Sequence, residues 1–118
     1  MSAETVLYST LSGAAGVTAL VSTRIYPDVA PQEGSLPAIT FERTGTEYHN
    51  TIHGTVIATV AALDVWCMGA TRASAEAVCD AATAAVAAAG FITRNRRAEY
   101  DPESDLWGAV LSIDHWAT

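Results

Sequence analysis

The sequence predicts an α+β fold: an antiparallel β-sheet with helices packed on one face. Three observations carry this. An alanine-rich stretch from Ala70 to Ala89 has helical periodicity. Apolar residues recur at every second position around Leu63 and Leu111. The order helix, strands, helix, hairpin lacks the strict strand–helix alternation of a parallel sheet. With 118 residues, 50% of them hydrophobic and 16% charged, the chain can bury one core, and one domain over residues 1–118 is expected. That composition excludes a disordered chain.

Ala3 to Leu11 reads as a short helix, with Val6, Leu7 and Leu11 at helical spacing and Ser2 as its cap. Gly13 to Gly16 breaks it, and Val17, Leu20 and Val21 suggest a second apolar turn of helix. Arg24-Ile25-Tyr26 starts a short strand. Pro27, Pro31 and Pro37 then forbid a helix or a central strand, so an extended surface loop is expected. Ala38 to Arg43 reads as a strand. The polar stretch from Thr44 to Gly54 reads as a long hairpin loop or flexible arm.

Thr55 to Cys67 is the longest predicted strand. Ile57, Ala61, Leu63, Val65 and Cys67 share one face, assigned to the helix layer because it holds the larger aliphatics. Val56, Ala58, Val60, Ala62, Asp64 and Trp66 share the other, which is more apolar than a solvated face should be. The next helix is marked by Thr71 as N-cap and Gly90 just past its end. Arg72, Glu76, Asp80 and Thr83 form its polar stripe, opposite Ala75, Val78, Cys79, Ala82, Ala85, Val86 and Ala89. Phe91 to Tyr100 and Leu106 to Trp116 read as strands joined by the Asp101-Pro102-Glu103-Ser104 turn. Ala109, Leu111 and Ile113 share one face of the last strand.

There are 13 acidic residues and six basic ones, a net charge of −7. All six basic residues are arginines. An acidic chain is a poor general phosphate binder, so no sequence-specific nucleic-acid partner is expected. No stretch has the roughly 18 consecutive apolar residues of a membrane-spanning helix, and no membrane partner is expected. Ser2-Ala3-Glu4-Thr5 lacks the basic start of a signal peptide, which points to a reducing cytoplasm, and a count of two cysteines, Cys67 and Cys79, fits that.

No residue set marks catalysis. Phosphate-loop, dinucleotide and nucleophile-elbow patterns are missing. His49 and His53 lie four apart in a polar segment without the four convergent ligands of a zinc site. Glu99, Asp101, Glu103 and Asp105 alternate through a turn that lacks the spacing and glycine of a calcium loop. The expectation is therefore a protein with no catalytic activity, cofactor or metal. Arg94, Arg96 and Arg97 suit either a basic patch facing a partner or cross-strand pairing with acids such as Glu103 or Asp105, and the pairing rule favours the second. Trp66, Trp107 and Trp116 lie near strand ends. One helix layer cannot cover both sheet faces, and aromatics on an uncovered face favour a protein interface.

Several short pieces, in order, carry a resemblance. They are Gly16-Val17-Thr18-Ala19-Leu20-Val21, Arg24-Ile25-Tyr26-Pro27 and Leu36-Pro37-Ala38-Ile39. Then come Leu63-Asp64-Val65-Trp66-Cys67, Ala73-Ser74-Ala75-Glu76-Ala77, Tyr100 to Trp107, and Leu111-Ser112-Ile113-Asp114. Together they resemble the tail completion (tail terminator) proteins of long-tailed phages and prophages. The resemblance implies an α+β subunit forming a homo-oligomeric, usually hexameric, ring. The ring would cap the tail tube and offer a surface to head–tail connector proteins. It also implies a place at the head-proximal end of the virion tail, after assembly in the host cytoplasm. Another neck protein, or a small-ligand-binding or enzymatic α+β domain, is the alternative.

The residues expected at a subunit or partner interface are Tyr48, His49, Val60, Asp64, Trp66, Arg94, Arg96, Arg97, Trp107 and Trp116. Trp66 and Val60 lie on the face without an obvious cover. Asp64 beside them needs a partner if buried, for which Arg94 or Arg96 of a neighbouring subunit is the expected source. The Thr44 to Gly54 segment is expected to be ordered by a ring neighbour or the tail tube.

Overall fold

The computed structural model describes residues 2–28 and 35–117. Two short helices, α1 (Ala3–Gly13) and α2 (Ala15–Val21), lead into β1 (Ile25–Pro27). A hairpin of β2 (Ala38–Asn50) and β3 (Val56–Gly69) follows. Next come α3 (Arg72–Ala88) and a second hairpin of β4 (Ile92–Asp101) and β5 (Leu106–Ala117). The five strands form one sheet in the order β1-β2-β3-β5-β4. The fold is α+β, as the sequence predicts.

The helices start where the sequence places their caps. Ser2 Oγ accepts from the Thr5 amide at 3.2 Å, and Thr71 Oγ1 from the Ser74 amide at 3.1 Å. Gly90, with φ at +94°, turns the chain out of α3 in a conformation that glycine adopts without strain. All three helices pack on one sheet face. Leu7 and Leu11 of α1, Val17 and Val21 of α2, and Val78, Cys79, Ala82 and Val86 of α3 are buried. They meet Ile39, Phe41, Leu63, Val65, Cys67, Ala109, Leu111 and Ile113 from the sheet. The alanine stripe of α3 brings the helix close to β3 and β5.

Two expectations change at the sheet edge. The four long strands are antiparallel, but β1 pairs parallel with β2, Ile25 opposite Ile39. Parallel pairing requires the connection between β1 and β2 to return the chain to the same end of the sheet. Residues 29–34 of that connection, including Pro31, lie outside the described residues. Pro27 is tolerated because β1 is an edge strand.

The second change concerns Thr44 to Gly54, read from sequence as a loop or flexible arm. Strand β2 continues to Asn50 and pairs with β3 throughout, so only a tight turn remains between Thr51 and Thr55. The expected disorder-to-order change of this segment is set aside, because its backbone is already laddered within the chain. The polar composition has a simple cause. This half of the hairpin projects past the helices, both its faces are wet, and no hydrophobic alternation marks it as strand. Ile57 shows the same effect: assigned to the helix-facing side, it is 57% exposed on the projecting arm. Ala61, Leu63, Val65 and Cys67 do face the helices and are buried.

Candidate protein interface on the open sheet face

The helices leave one sheet face without a covering layer. Successive residues of a strand point to opposite faces, so strand register assigns the side chains there. One cross-strand row runs Arg97, Val110, Trp66, Thr40 across β4, β5, β3 and β2. The next runs Asn95, Ser112, Asp64, Glu42. A third places Trp116 beside Val60 and Glu47. A bulge puts Arg94 on this side as well: Thr93 opposes Ile113 and Asn95 opposes Ser112, which makes Arg94 the extra residue.

The face is less bare than its sequence suggests. Val110, Val60, Ser112 and Thr40 are buried although no helix lies over them. Long side chains of the same face cover them. The Arg97 guanidinium lies 5.7 Å from the centroid of the Trp66 ring. The rings of His49 and Trp116 meet 4.9 Å apart across β3, beside Ala58 and Val60. Arg94 Nε lies 2.7 Å from Asp114 Oδ1. Two shallow hollows remain. One of about 370 Å³ is lined by Trp66, Met68, Glu99, Tyr100, Leu106 and Gly108. The other, about 290 Å³, is lined by Glu47, Val60, Ala62, Arg94 and Asp114.

Asp64 finds its partners in its own chain. Ser112 Oγ donates to Asp64 Oδ1 at 2.9 Å, and Arg97 Nη2 stands 3.9 Å from Oδ2. An arginine from a neighbouring subunit is not needed, and that expectation is corrected. Arg96 in particular points the other way. It lies on the helix-bearing side, where Nη1 donates to Asp80 Oδ1 at 2.7 Å and Nη2 pairs with Glu76. Its hydrogen bonds to Asp80 and Glu76 push its pKa up, so the charge is fixed at any working pH.

The three arginines of β4 are therefore all paired, but only Arg94 pairs across the hairpin, and none does so with Glu103 or Asp105. Arg94 takes Asp114, Arg96 takes the polar stripe of α3, and Arg97 takes Glu99 and Asp64. Asp105 instead accepts a hydrogen bond from Tyr100 Oη at 2.7 Å, and Asp101 caps its own turn through Glu103 N and Ser104 Oγ. Trp107 stacks on Tyr100 with ring centroids 4.3 Å apart.

Of the ten candidate interface residues, the open face gathers His49, Val60, Asp64, Trp66, Arg94, Arg97 and Trp116. Tyr48 projects from the opposite side of the arm, opposite Thr59, and Trp107 belongs to the far end of the β4–β5 hairpin. Sequence reasoning missed the arm tip. Ile52 is 95% exposed, and Val56 and Ile57 beside it are exposed too. The signal was a lone isoleucine in an otherwise polar turn.

Cys67 and Cys79 are free, buried thiols, one on β3 and one on α3. Their mutual hydrogen bond, with burial, pushes the Cys67 thiol up, and the same bond lowers Cys79. They contribute to packing between sheet and helix. No group of three or more potential metal ligands occurs among the described residues.

No curated protein matches the chain in sequence. Among solved structures, a chain from the "virion of native gene transfer agent (GTA) particle" is similar in fold. It shares 20% identity over 95% of this chain and 91% of its own, with a TM-score of 0.74. The family described as "Tail completion protein gp17" matches residues 5–118. The match spans all three helices and all five strands but for two residues at the start of α1. The chain thus belongs to the tail completion protein family, a family of phage tail structural proteins.

Proposed function

We propose that the protein is a tail terminator. Its copies form a ring that closes the head-proximal end of the tail tube and presents the surface on which the head docks. The tail tube protein and the head–tail connector proteins are its partners, and the finished virion is its location. Family membership over nearly the whole chain is the observation that carries this. The lopsided architecture supports it. One sheet face is covered by helices, while the other holds Trp66 and Trp116 at its surface. The arm tip adds Ile52, Val56 and Ile57, which a free subunit would not keep in water without cause. The similar solved chain belongs to a virion particle, and a role in a particle agrees with that fold.

The test is mass by light scattering with negative-stain imaging, alone and after addition to unfinished tail tubes. Rings seated on tube ends are expected. The double variant Trp66→Ala, Ile52→Ser should keep the wild-type circular dichroism spectrum and lose tube capping. A protein that binds no tube end, in any amount, would defeat this function.

A further inference from the structure

Among the described residues, the sheet has two open edges. At one side β4 is the edge strand, and every residue from Ile92 to Asp101 is exposed. At the other side β1 shields only Ile39, Thr40 and Phe41 of β2. The last contact is the Asp28 amide donating to Phe41 O at 2.9 Å, after which Asp28, with φ at +64°, turns the chain away. Beyond Phe41, β2 has no partner on that side among the described residues. Each edge therefore presents a row of backbone N–H and C=O groups open to pairing.

We infer that β4 of one copy pairs with the projecting half of β2 in the next copy, so that the sheets of successive subunits join edge to edge. This rests on the ring proposed above, and it names the seam. Three observations support it. First, direction: β1, β2 and β5 run one way and β3 and β4 the other. Copies related by rotation about an axis that runs along the strands therefore bring β4 antiparallel to β2, with the helices of both on the same side. Second, length: β2 is regular from Gly45 to His49, between its two bulges, and β4 is regular from Asn95 to Asp101, past its own. The shorter stretch fits within the longer. Third, charge: within these stretches the open face of β4 carries Arg97 and that of β2 carries Glu47, an opposite-charge pair in a register that sets Glu99 opposite Gly45 and Asn95 opposite His49. Neither regular stretch contains a proline, which would remove a backbone donor from the edge. The contact joins two different edges, so it is heterologous and repeats until the ring closes.

Cysteine cross-linking tests the seam. The native thiols are buried, and Ala98→Cys on β4 and Thr46→Cys on β2 each replace a small exposed residue. The two single variants are mixed, alone and with tail tubes, and treated with a short bis-maleimide, which tolerates a register offset. A covalent dimer is expected only in the mixture. Dimers of the Ala98→Cys variant with itself would overturn the inference in favour of β4–β4 pairing. Oligomers that give no cross-link in the mixture would overturn the seam and leave the ring standing. A protein monomeric at every concentration and on tubes would remove both.

Discussion

Ser112 and Asp64 face each other across the β3–β5 ladder, and the serine hydroxyl donates to the carboxylate at 2.9 Å. This bond gives a half-buried carboxylate in the middle of the open sheet face a partner for one of its oxygens. Ser112→Ala is expected to lower stability by about 1.5 kcal/mol, the low end for a hydrogen bond to a charged group. Arg97→Ala removes a longer, more exposed ion pair and should cost less, about 0.5 kcal/mol. Urea unfolding with unchanged slope checks the order of the two.

Arg96 is the clamp between β4 and α3. It meets Asp80 and Glu76, one helical turn apart on the polar stripe. Arg96→Ala should destabilise by about 1 kcal/mol, more than an isolated surface pair because two acids lose their partner. The difference from wild type should shrink in about 1 M salt, where exposed charges are screened. Arg94→Ala, which removes one pair, should show a smaller loss, and thermal melts of both variants at low and high salt check the order.

Gly69 ends β3 against the first turn of α3. A Cβ there would lie 2.7 Å from the Ala75 backbone nitrogen, which no side-chain rotation relieves. Gly69→Ala should therefore cost about 1–3 kcal/mol by forcing the helix start away from the sheet. Thr71→Ala removes the cap two residues on and should cost about 1 kcal/mol. Both appear as lower melting temperatures without loss of helical signal in the folded state.

Tyr100 makes a hydrogen bond that is sensitive to alkaline pH. Its hydrogen bond to Asp105, with desolvation and the nearby carboxylate charges, pushes the phenol above the ordinary tyrosine range. A raised folded-state pKa contributes stability that is complete below the unfolded value, about 10. It is lost as pH rises through the folded value. The stability difference between wild type and Tyr100→Phe should be flat up to about pH 9 and fall above about pH 10. Denaturant midpoints of the two proteins across that range are the measurement.

The helices and the inner halves of the strands were legible in the sequence because one face of each is dry. Leu63, Val65, Leu111 and Ile113 alternate with wetter neighbours, and the caps Ser2 and Thr71 stand where hydrogen bonding needs them. The outer half of β2 was not legible, since Thr44 to Asn50 is wet on both faces and carries no period. The direction of β1 was also hidden. A three-residue strand pairs either way, and only the helix layer decides which. Partners on the open face escaped for a different reason. Ser112 and Asp64 are 48 positions apart, and no local pattern links them. On a regular strand Arg94 and Arg96 would share one face and Arg97 the other, yet the bulge at Arg94 moves it to the side of Arg97 and leaves Arg96 on the helix-bearing side.

The place of β5 has a consequence for synthesis. It is the last strand in the chain, yet it lies inside the sheet, between β3 and β4. The β2–β3 hairpin and the helices can gather while the nascent chain is still being extended. Strand β4 emerges with no neighbour to pair with, and β3 keeps one flank open. Both wait for residues 106–117 to leave the ribosome exit tunnel. Until then Leu63, Val65 and Cys67 lack Ile113, Leu111 and Ala109 beside them, and two long strands stand unpaired in a crowded cell. Each subunit therefore completes its sheet only once β5 is free to insert between β3 and β4. Chains cut short in the final hairpin should go to proteolysis or aggregation and not into particles.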